Sequence, residues 1–590
     1  MTASGQKVGN RPAASEQWTE GGGELAAVMK SFRGAFLGLG VFSGISNLLM
    51  LTGPIFMLEI YDRVLPGHSL PTLAVLGLLA MALYAGQGII DWIRGRLLVR
   101  IAGALDEAVS ARVYDLLVRL TLRRGSAGGN GLEPVRDMEA IRSFLSGLGP
   151  TALFDLPWIP LYLGIVFAFH PLLGLTAAAG GVVLFSLAML AEMLAQKPMK
   201  AALESWQKRQ ELAEAGRRNA EAVTAMGFGG RLARLWQGVN REHVADQQRA
   251  SDVTGGFGTL SRVLRLILQS AVLGIGAYLA INQEITAGVI IASSILTARA
   301  LAPVDLAIAH WKGFIAARQG WQRLGKMLGA LPAEPERLEL PAPGETLSVE
   351  NLSLAAPGSG KLIVQGASFS LKAGQGLGII GPSASGKSSL ARALVGVWPT
   401  VRGKVRLDGA SLDQWSEEGR GRHVGYLPQD VELFAGTVAE NIARFDPEAS
   451  SEAVIEAAQA ACVHEMIVGF EGGYGAEVGE NGSALSAGQQ QRIALARALY
   501  GDPFLVVLDE PNSNLDAEGE TALTRAILGV RRRGGIVVVI AHRPSALAAT
   551  DTILVMRQGR VETFGAKKDV LPALVRPVEV ARQLPAQASG

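Results

Sequence analysis

The sequence has very little cysteine, and this limits the chemistry that it can support. Cys462 is the single cysteine among 590 residues. One thiol excludes an internal disulfide and argues against a cysteine-ligated metal cluster. We expect Cys462 to be buried and to pack as a small apolar side chain.

Charge is also scarce. Charged residues make up 18% of the chain and apolar residues 49%, and the formal net charge is +2. So small a net charge gives no support for a polyanionic partner, and we expect no nucleic-acid binding. Residues 1–25 lack the charged start, apolar core and cleavage pattern of a signal peptide, and are predicted to be a disordered cytoplasmic leader.

Three long stretches before residue 310 contain no Asp, Glu, Lys or Arg: residues 34–58, 69–90 and 156–191. A helix needs about 20 residues to cross the hydrocarbon core, so the third stretch predicts two helices with a turn near His170. A further pair is predicted at 266–281 and 285–298. The total is six spans in three hairpins. None carries a series of acids or histidines, which argues against an ion-driven pump.

Few polar residues lie inside these spans; the candidates are Asn47, Gln87 and Asp155. A polar or ionisable group within a membrane often marks a transport pathway. Asp155 stands at the boundary of its span, so a solvated position at the cytoplasmic end is an equal alternative.

Basic residues are concentrated in two of the connections, 91–150 and 192–257. Positive charge collects on the cytoplasmic side, so both termini and everything after residue 310 are predicted to be cytoplasmic. Residues 105–122 and 201–223 have apolar residues at helical spacing, which predicts that the membrane helices continue into the cytoplasm. Glycine-rich breaks at 125–132 and 227–230 are predicted to be the turns at their tips.

The composition changes after a proline-rich linker. The predicted organisation is a leader at 1–25, a six-helix transmembrane domain at 26–328, a linker at 329–345, an α/β domain at 346–572 and a flexible tail at 573–590. Five short apolar runs alternate with helical patterns and predict a mainly parallel sheet. They are residues 376–380, 423–428, 504–509, 535–541 and 552–556.

The first of these runs leads into Gly381-x4-Gly386-Lys387-Ser388, a phosphate-binding loop that opens a helix. Its glycines let backbone N–H groups turn toward phosphates, Lys387 would reach the β and γ phosphates, and Ser388 would ligate Mg²⁺. Three more serines complete the nucleotide-binding candidates: Ser383, Ser385 and Ser389. The pattern predicts a bound nucleoside triphosphate and Mg²⁺.

A second motif supports this interpretation. The apolar run 504–509 ends in two acids, Asp509 and Glu510, which a buried strand does not need for folding. Asp509 is placed to hold the Mg²⁺ ion, and Glu510 is placed to orient and polarise the attacking water.

Between these motifs lies "ALSAGQQQRIALARAL" at 484–499, and here the chain resembles the ATP-binding cassette (ABC) family. The family signature begins Leu-Ser-Gly-Gly-Gln, and this chain has alanine at the first of the two glycines. The resemblance implies that the start of this helix contacts the γ-phosphate held by a second cassette, which requires a homodimer with two shared ATP sites. The residues that would do so are Ser486, Gly488 and Gln489.

Other family elements follow in the expected order. Gln429 resembles the glutamine that senses Mg²⁺ and water, Glu480 lies in a stretch that resembles the exporter loop at the helix tips, and Asp516 resembles the residue that pairs the cassettes. His542 resembles the switch histidine at the γ-phosphate. One element departs from the family, since Ala355 and Ala356 stand where many cassettes stack adenine on an aromatic ring.

Six spans followed by one cassette resemble the half-size ABC exporters, the type I exporter-like fold. Four stretches are similar to the PrtD-like protease and RTX-protein exporters of type I secretion systems: "PIFMLEIYDRVLP" (54–66), "NAEAVTAMGF" (219–228), "LVGVWPTVRGKVRLDGASLDQW" (394–415) and "GYLPQDVELFAGTVAENIARF" (425–445). The resemblance implies ATP-driven export of unfolded polypeptides with a C-terminal signal across the bacterial inner membrane. It also implies a periplasmic adaptor and an outer-membrane channel as partners, and surrounding membrane lipid. The leader is too short for the N-terminal peptidase-like domain of some relatives, so we expect no cleavage of the substrate.

Three alternatives remain at this point. The first is a lipid or amphiphile exporter that uses the same machinery. The second is a soluble ABC ATPase, against which the six uncharged spans argue. The third is a regulatory protein that does not hydrolyse ATP, against which the acids, the lysine and the histidine of the ATP motifs argue.

Overall fold

The computed structural model describes residues 23–124, 131–333, 337, 339–358, 360–541 and 544–574. They fall into two compact units. One comprises the described residues up to 120 and from 131 to 333, and the other comprises residues 121–124 and the described residues from 337 onward. The predicted leader and tail lie almost entirely outside the described residues, as does most of the predicted glycine-rich turn at 125–132.

Among its described residues, the first unit consists of helices and the turns that join them. In chain order its helices are α1 (Gly23–Ser31), α2 (Arg33–Leu49), α3 (Thr52–Glu59), α4 (Leu65–Gly67), α5 (Leu70–Arg124), α6 (Glu133–Ser146), α7 (Gly149–Asp155), α8 (Ile159–Phe169), α9 (Pro171–Arg218), α10 (Ala220–Ala225), α11 (Gly229–Ile281) and α12 (Ala287–Ala330).

Six segments of this unit are long and apolar enough to cross a membrane, which confirms the predicted number of spans. They are Arg33–Gly67, Leu70–Arg123, Gly149–Phe169, Pro171–Arg218, Gly229–Ile281 and Ala287–Ala330. Many large apolar side chains on α5 and α9 are exposed, which suits a lipid environment.

Several of these helices are much longer than a membrane is thick. With a rise of about 1.5 Å per residue, the 55 residues of α5 extend for roughly 80 Å, against about 30 Å of hydrocarbon. Helices α9 and α11 have 48 and 53 residues and pack along each other. The turn between them includes Gly227, with φ +66°, at the position where the sequence predicted a tip.

The first span is broken into two helices, although the sequence predicted one. Helix α2 ends at Leu49 and α3 begins at Thr52. Pro54 has no backbone N–H to donate to the carbonyl of Met50, so the hydrogen-bond ladder is interrupted there. A single turn of π-helix, Ile60–Val64, then carries the chain into α4.

A buried polar network joins the first three spans. The guanidinium of Arg94 on α5 donates from Nη2 to Asp155 Oδ1 at 2.8 Å, and its side chain is 4% exposed. Asn47 Nδ2 on α2 donates to the same carboxylate oxygen at 2.8 Å, and the hydroxyl of Ser43 also donates to it. Tyr162 on α8 donates its hydroxyl to the backbone carbonyl of Asn47 at 2.8 Å. The suggested solvated position for Asp155 is therefore wrong, because three donors from two neighbouring helices enclose it.

The second unit is an α/β domain. Its strands are β1 (Thr346–Ala355), β2 (Leu362–Lys372), β3 (Gly376–Ile380), β4 (Arg402–Leu407), β5 (Ala410–Ser411), β6 (Val424–Leu427), β7 (Leu505–Asp509), β8 (Ile536–Ile540), β9 (Thr552–Arg557) and β10 (Arg560–Ala566). Its helices are α13 (Lys387–Leu394), α14 (Glu417–His423), α15 (Val438–Ile442), α16 (Ser451–Ala460), α17 (His464–Val468), α18 (Ala487–Leu499), α19 (Ala517–Arg532) and α20 (Lys567–Leu574).

The strands form two sheets. The larger has the order β10-β9-β3-β8-β7-β6, and all of its pairs are parallel except β10 with β9. Its five parallel strands match the five predicted runs. The smaller sheet, β2-β1-β4-β5, is antiparallel and was not predicted.

The larger sheet is buried on both faces because its side chains alternate between two cores. Leu505 and Val507 of β7 pack with the smaller sheet and α13, whereas Val506 and Leu508 pack with the helical layer that contains α18 and α19. Cys462 lies outside both cores. It follows α16 with φ +55° and is exposed, so the expectation of a buried thiol is wrong. The flanking Ala461 and Val463 take the buried positions of this turn.

Candidate functional site

The carboxyl ends of four parallel strands bring most of the predicted site residues to one edge of the larger sheet. Ile540 at the end of β8 is level with Ile379 of β3 on one side and with Asp509 of β7 on the other. In open α/β sheets this edge is where ligands bind. His542 stands two positions after the end of β8 in the sequence, and it lies outside the described residues.

The loop after β3 can be made only with glycine at its ends. A Cβ on Gly381 would come within 2.2 Å of the carbonyl oxygen of Met556, and Gly386 has φ +96° at the residue that precedes α13. The peptide N–H groups at the start of α13 have no intrahelical acceptors, so the loop forms an anion-binding concavity at a helix N-terminus.

Lys387 is held inside this loop. Its ammonium Nζ donates to the carbonyls of Gly381 and Pro382, each at 2.9 Å, and the residue is 5% exposed. Burial lowers the pKa of Lys387, and the carboxylates of Glu510 and Asp509 oppose that shift. Two acids and one lysine therefore share this edge of the sheet.

The hydroxyl of Ser388 and the carboxylate of Asp509 meet across the strand ends. Ser388 Oγ donates to Asp509 Oδ1 at 3.2 Å. The second oxygen, Asp509 Oδ2, is buried and has no hydrogen-bond partner among the described residues. Burial raises the pKa of Asp509, the Ser388 hydroxyl opposes the shift, and the nearby Glu510 adds to it. A hydroxyl and a carboxylate oxygen without a partner are the ligand types that Mg²⁺ prefers, so the residues fit the predicted metal.

The other serines of the loop differ in their surroundings. Ser385 is buried, and its Oγ has no hydrogen-bond partner among the residues that the structure describes. Ser389 is buried on the first turn of α13, and Ser383 is exposed at the tip of the loop. Ser383 thus lies on the solvent-exposed side of the loop, and Ser385 lies on its buried side.

Glu510 has an unusual backbone. Its φ is +50°, in the left-handed region that few residues other than glycine adopt, and its N–H donates to the carbonyl of Ile540 at 3.0 Å. Such a conformation persists where the surrounding contacts hold it, and it is concentrated at functional sites. The turn directs the chain out of β7 directly after Asp509.

Gln429 lies two residues beyond the end of β6, the strand that pairs with β7, and its side chain is exposed. The sheet order therefore places it on the β6 side of Asp509, at the same edge. The loop, Asp509, Glu510 and Gln429 therefore all lie along the carboxyl edge of the larger sheet.

The signature segment forms the start of α18. Ser486 and Gln489 make a reciprocal capping box: Ser486 Oγ accepts from the Gln489 N–H at 3.3 Å, and Gln489 Oε1 accepts from the Ser486 N–H at 2.9 Å. Gly488 packs close to the next loop, since a Cβ there would lie 3.0 Å from the carbonyl oxygen of Asn514. The predicted Gln489 is therefore engaged within its own helix.

Replacing the cap should loosen this helix start. We expect Ser486→Ala to destabilise the first turn of α18 by about 1 kcal/mol, the usual cost of a lost N-cap, and so to raise the population of its locally open state about fivefold. Amide hydrogen exchange of residues 488–490 in the full-length protein would measure it. Ser483→Ala, which removes an exposed hydroxyl four residues before the helix, is the control. Unchanged exchange in Ser486→Ala would contradict the assignment of the cap.

Asp516 also caps a helix. Its carboxylate accepts from the N–H of Gly519 at 2.8 Å at the start of α19, and it pairs with Arg492 Nη2 at 2.7 Å. The Gly519 N–H is the largest influence that lowers the pKa of Asp516, and the Arg492 guanidinium lowers it further. Arg492 lies on α18, so this pair ties the signature helix to the loop after Glu510.

Sequence reasoning missed Gln491, which is 2% exposed on α18 and contacts the backbone of residues 510–514. A signal was available, because Gln491 stands at helical spacing from Ala494, Leu495 and Ala498 on the buried face. It also missed Asn512, a buried residue whose Nδ2 has no partner within the described part of the chain.

Comparisons with known proteins agree with this geometry. A family model described as "ABC transporter" matches residues 364–513, and one described as "ABC transporter transmembrane region" matches residues 36–303. The type I secretion system ATP-binding protein PrsD of Rhizobium meliloti is 56% identical over 558 residues, which cover 95% of this chain and 96% of PrsD. The chain belongs to the type I secretion ABC transporters.

Two more distant relatives of this ABC transporter carry related descriptions. The cyclolysin secretion/processing ATP-binding protein CyaB of Bordetella pertussis is 28% identical and covers 90% of this chain and 75% of CyaB. The α-hemolysin translocation ATP-binding protein HlyB of Escherichia coli is 29% identical, and the match covers 93% of this chain and 78% of HlyB.

A solved structure supports the fold. A bacterial Atm1-family ABC exporter with ATP bound superposes with a TM-score of 0.77 and 23% identity, covering 92% of this transporter and 96% of that chain. At this identity the likeness concerns the fold alone. Six membrane helices followed by an ABC nucleotide-binding domain are thus the architecture of this multi-pass membrane protein.

Proposed function

We propose that this transporter uses ATP to export unfolded polypeptides with a C-terminal secretion signal, as the ABC component of a type I secretion system. The observation that carries the proposal is 56% identity to a type I secretion ATP-binding protein over 95% of the chain. The ATP site supplies the energy source, and the long helices of the first unit supply a membrane path.

In this proposal the phosphate loop binds the nucleotide. The N–H groups that follow Gly381 and the ammonium of Lys387 hold the phosphates, with Ser383, Ser385 and Ser389 lining the loop. Ser388, Asp509 and Gln429 would hold a Mg²⁺ ion, which when bound neutralises phosphate charge.

Hydrolysis depends on the acid that follows Asp509. The carboxylate of Glu510 orients a water and accepts its proton as the water oxygen attacks the γ-phosphorus and the bond to the ADP oxygen breaks. Gln429 would sense the Mg²⁺ ion and the water, and His542 would sense the γ-phosphate. The left-handed backbone conformation of Glu510 sets the direction in which its side chain leaves the backbone.

A second copy of the chain would complete each site. Ser486 and Gly488 open a helix whose N–H groups suit an anion, and we propose that they contact the γ-phosphate bound to the partner copy. Gln489 supports this helix start, and Asp516 helps to join the two cassettes. The active form is then a homodimer with two shared ATP sites.

The membrane placement follows from charge. Connections 91–150 and 192–257 carry the excess of Arg and Lys. Both termini and the ATPase domain are therefore proposed to lie on the cytoplasmic side of the bacterial inner membrane. The proposed bounds are 26–328 for the transmembrane domain and 346–572 for the ATP-binding domain. A periplasmic adaptor and an outer-membrane channel are the proposed partners, and lipid surrounds the spans.

The substrate class can be tested with purified, reconstituted transporter. C-terminal peptides of glycine-rich repeat proteins or proteases encoded beside its gene should change the ATPase rate several-fold, because substrate binding shifts the equilibrium between the transporter's conformations. Scrambled peptides of equal composition are the control. An ATPase that responds to phospholipid composition and to none of these peptides would contradict polypeptide export and favour lipid export.

A further inference from the structure

Gln491 is a polar side chain on the apolar face of α18. It is 2% exposed, and its helix neighbours Ile493 and Ala494 are fully buried. Polar groups at such positions are costly unless they are hydrogen-bonded, so the partners of this amide show what it does.

Both ends of the amide are bonded to the loop that follows β7. Nε2 donates to the carbonyl of Pro511 at 2.6 Å and to that of Glu510 at 3.3 Å. Oε1 accepts from the N–H of Asn514 at 3.2 Å and from the hydroxyl of Ser513 at 3.5 Å. The amide therefore uses its two donors and two acceptor positions on residues 510–514.

This contact falls on the residue with the unusual backbone. Glu510 has φ +50°, and its carbonyl accepts from Gln491 and from the N–H of Ser513 at 3.2 Å. Its own N–H is held by the carbonyl of Ile540. The N–H of Glu510 is thus held by strand β8, and its carbonyl is held by helix α18.

We propose that Gln491 is a positioning residue that sets the direction of the Glu510 carboxylate and links it to the start of α18. The proposal rests on the proposed function, in which Glu510 is the general base and Ser486 contacts the partner's nucleotide. Ser486 caps the helix that carries Gln491, and Gln491 is hydrogen-bonded to the backbone at Glu510. A movement of the Ser486 end of α18 is therefore passed to Glu510 through the Gln491 side chain. Each ATP site then influences hydrolysis at the other.

The first test is Gln491→Met, which keeps the length and apolar packing of the side chain but removes all four hydrogen bonds. We expect kcat for ATP to fall about 10- to 100-fold, as misplacement of a reacting group by about 1 Å does, with KM within a factor of about two. KM is expected to change little because the substitution leaves the phosphate loop and Lys387, which bind the nucleotide, unchanged. The full-length transporter in detergent and in proteoliposomes is the material.

Gln490→Met is the matched control. Gln490 is the adjacent glutamine on the same helix, and its Nε2 donates to the carbonyls of Gly482 and Leu485 at 2.8 and 3.2 Å instead of to the catalytic loop. We expect its kcat to stay within about twofold of wild type, since it does not contact residues 510–514. An equal loss in both variants would overturn the proposal in favour of general support of α18.

Gln491→Glu keeps the fold testable if the methionine variant does not accumulate. When protonated, the introduced carboxyl can donate to Pro511 and accept from Asn514; when ionised, it has no donor and faces two carbonyls. We expect its kcat to be reduced relative to wild type, with the larger reduction at higher pH. Wild-type kcat across the accessible pH range would overturn the proposal.

The Glu510→Gln background separates this inference from the proposed function. If Gln491 acts through the Glu510 carboxylate, Gln491→Met should lower the residual turnover of Glu510→Gln by less than about twofold. A loss as large as in wild type would show a role that bypasses Glu510 and would overturn the positioning proposal. Substantial turnover by Glu510→Gln itself would instead overturn the assignment of the general base.

Discussion

Glu510→Gln is expected to stop ATP turnover while the transporter continues to bind ATP. General-base catalysis contributes roughly 10²- to 10⁴-fold, and the amide cannot accept the proton of the attacking water. The substitution preserves the shape of the side chain, so the turn that Ile540 and Gln491 hold should be unchanged. Because ATP remains intact, we expect the closed dimer to accumulate.

Steady-state hydrolysis and retention of radiolabelled ATP would measure the two parts of this result. Glu518→Gln is the control, since it makes the same change in charge at an exposed position on the first turn of α19. Near-normal hydrolysis by Glu510→Gln would refute the assignment of Glu510. Loss of ATP binding together with hydrolysis would show that the substitution disturbs the phosphate loop instead.

Arg94→Ala is expected to cause the largest loss of stability among the substitutions considered. Arg94 is buried on α5 and supplies the positive charge nearest to Asp155, which is 13% exposed. Removing one partner of a buried ion pair typically costs about 3–5 kcal/mol, because the remaining charge loses its compensation in a medium of low dielectric constant. Asn47 and Ser43 would still donate to Asp155, but they carry no charge.

The midpoint of thermal unfolding in detergent would report this loss. Arg96→Ala is the control, because Arg96 is an exposed neighbour whose guanidinium lies over the ring of Trp92. The double variant Arg94→Met with Asp155→Asn should regain part of the lost stability, since removing both charges leaves neither unpaired. A double variant no more stable than Arg94→Ala would contradict the ion-pair explanation.

The first span, which was predicted as one helix and is broken into two near Pro54, shows what a sequence pattern can predict and what it cannot. Absence of charge over 25 residues is a property of composition, and it correctly predicted a crossing at 34–58. The break at Met50–Leu51 and the π-turn at Ile60–Val64 are local arrangements of backbone hydrogen bonds. Hydropathy contains no information about those bonds.

The smaller sheet illustrates a second limit. The five strands of the parallel sheet are apolar on both faces and are therefore visible as continuous runs in the sequence. In β1 and β2 buried side chains alternate with exposed or partly exposed ones, and their register shifts after Val349 and again beyond Leu352. Pairing between distant segments, β1 with β4 for example, is decided by packing against the parallel sheet and α13.

The sequence by itself determined the six spans, the parallel sheet, and the residue types of the ATP site, because each depends on local composition or on spacing within one motif. Only the tertiary structure decided that Asp155 is enclosed by Arg94, Asn47 and Ser43, and that Cys462 is exposed. It also decided that Gln491 holds the backbone of Glu510, nineteen positions further along the chain. These are contacts between segments that meet only when the helices and sheets pack, so burial and hydrogen-bond partners become defined at that stage and no earlier.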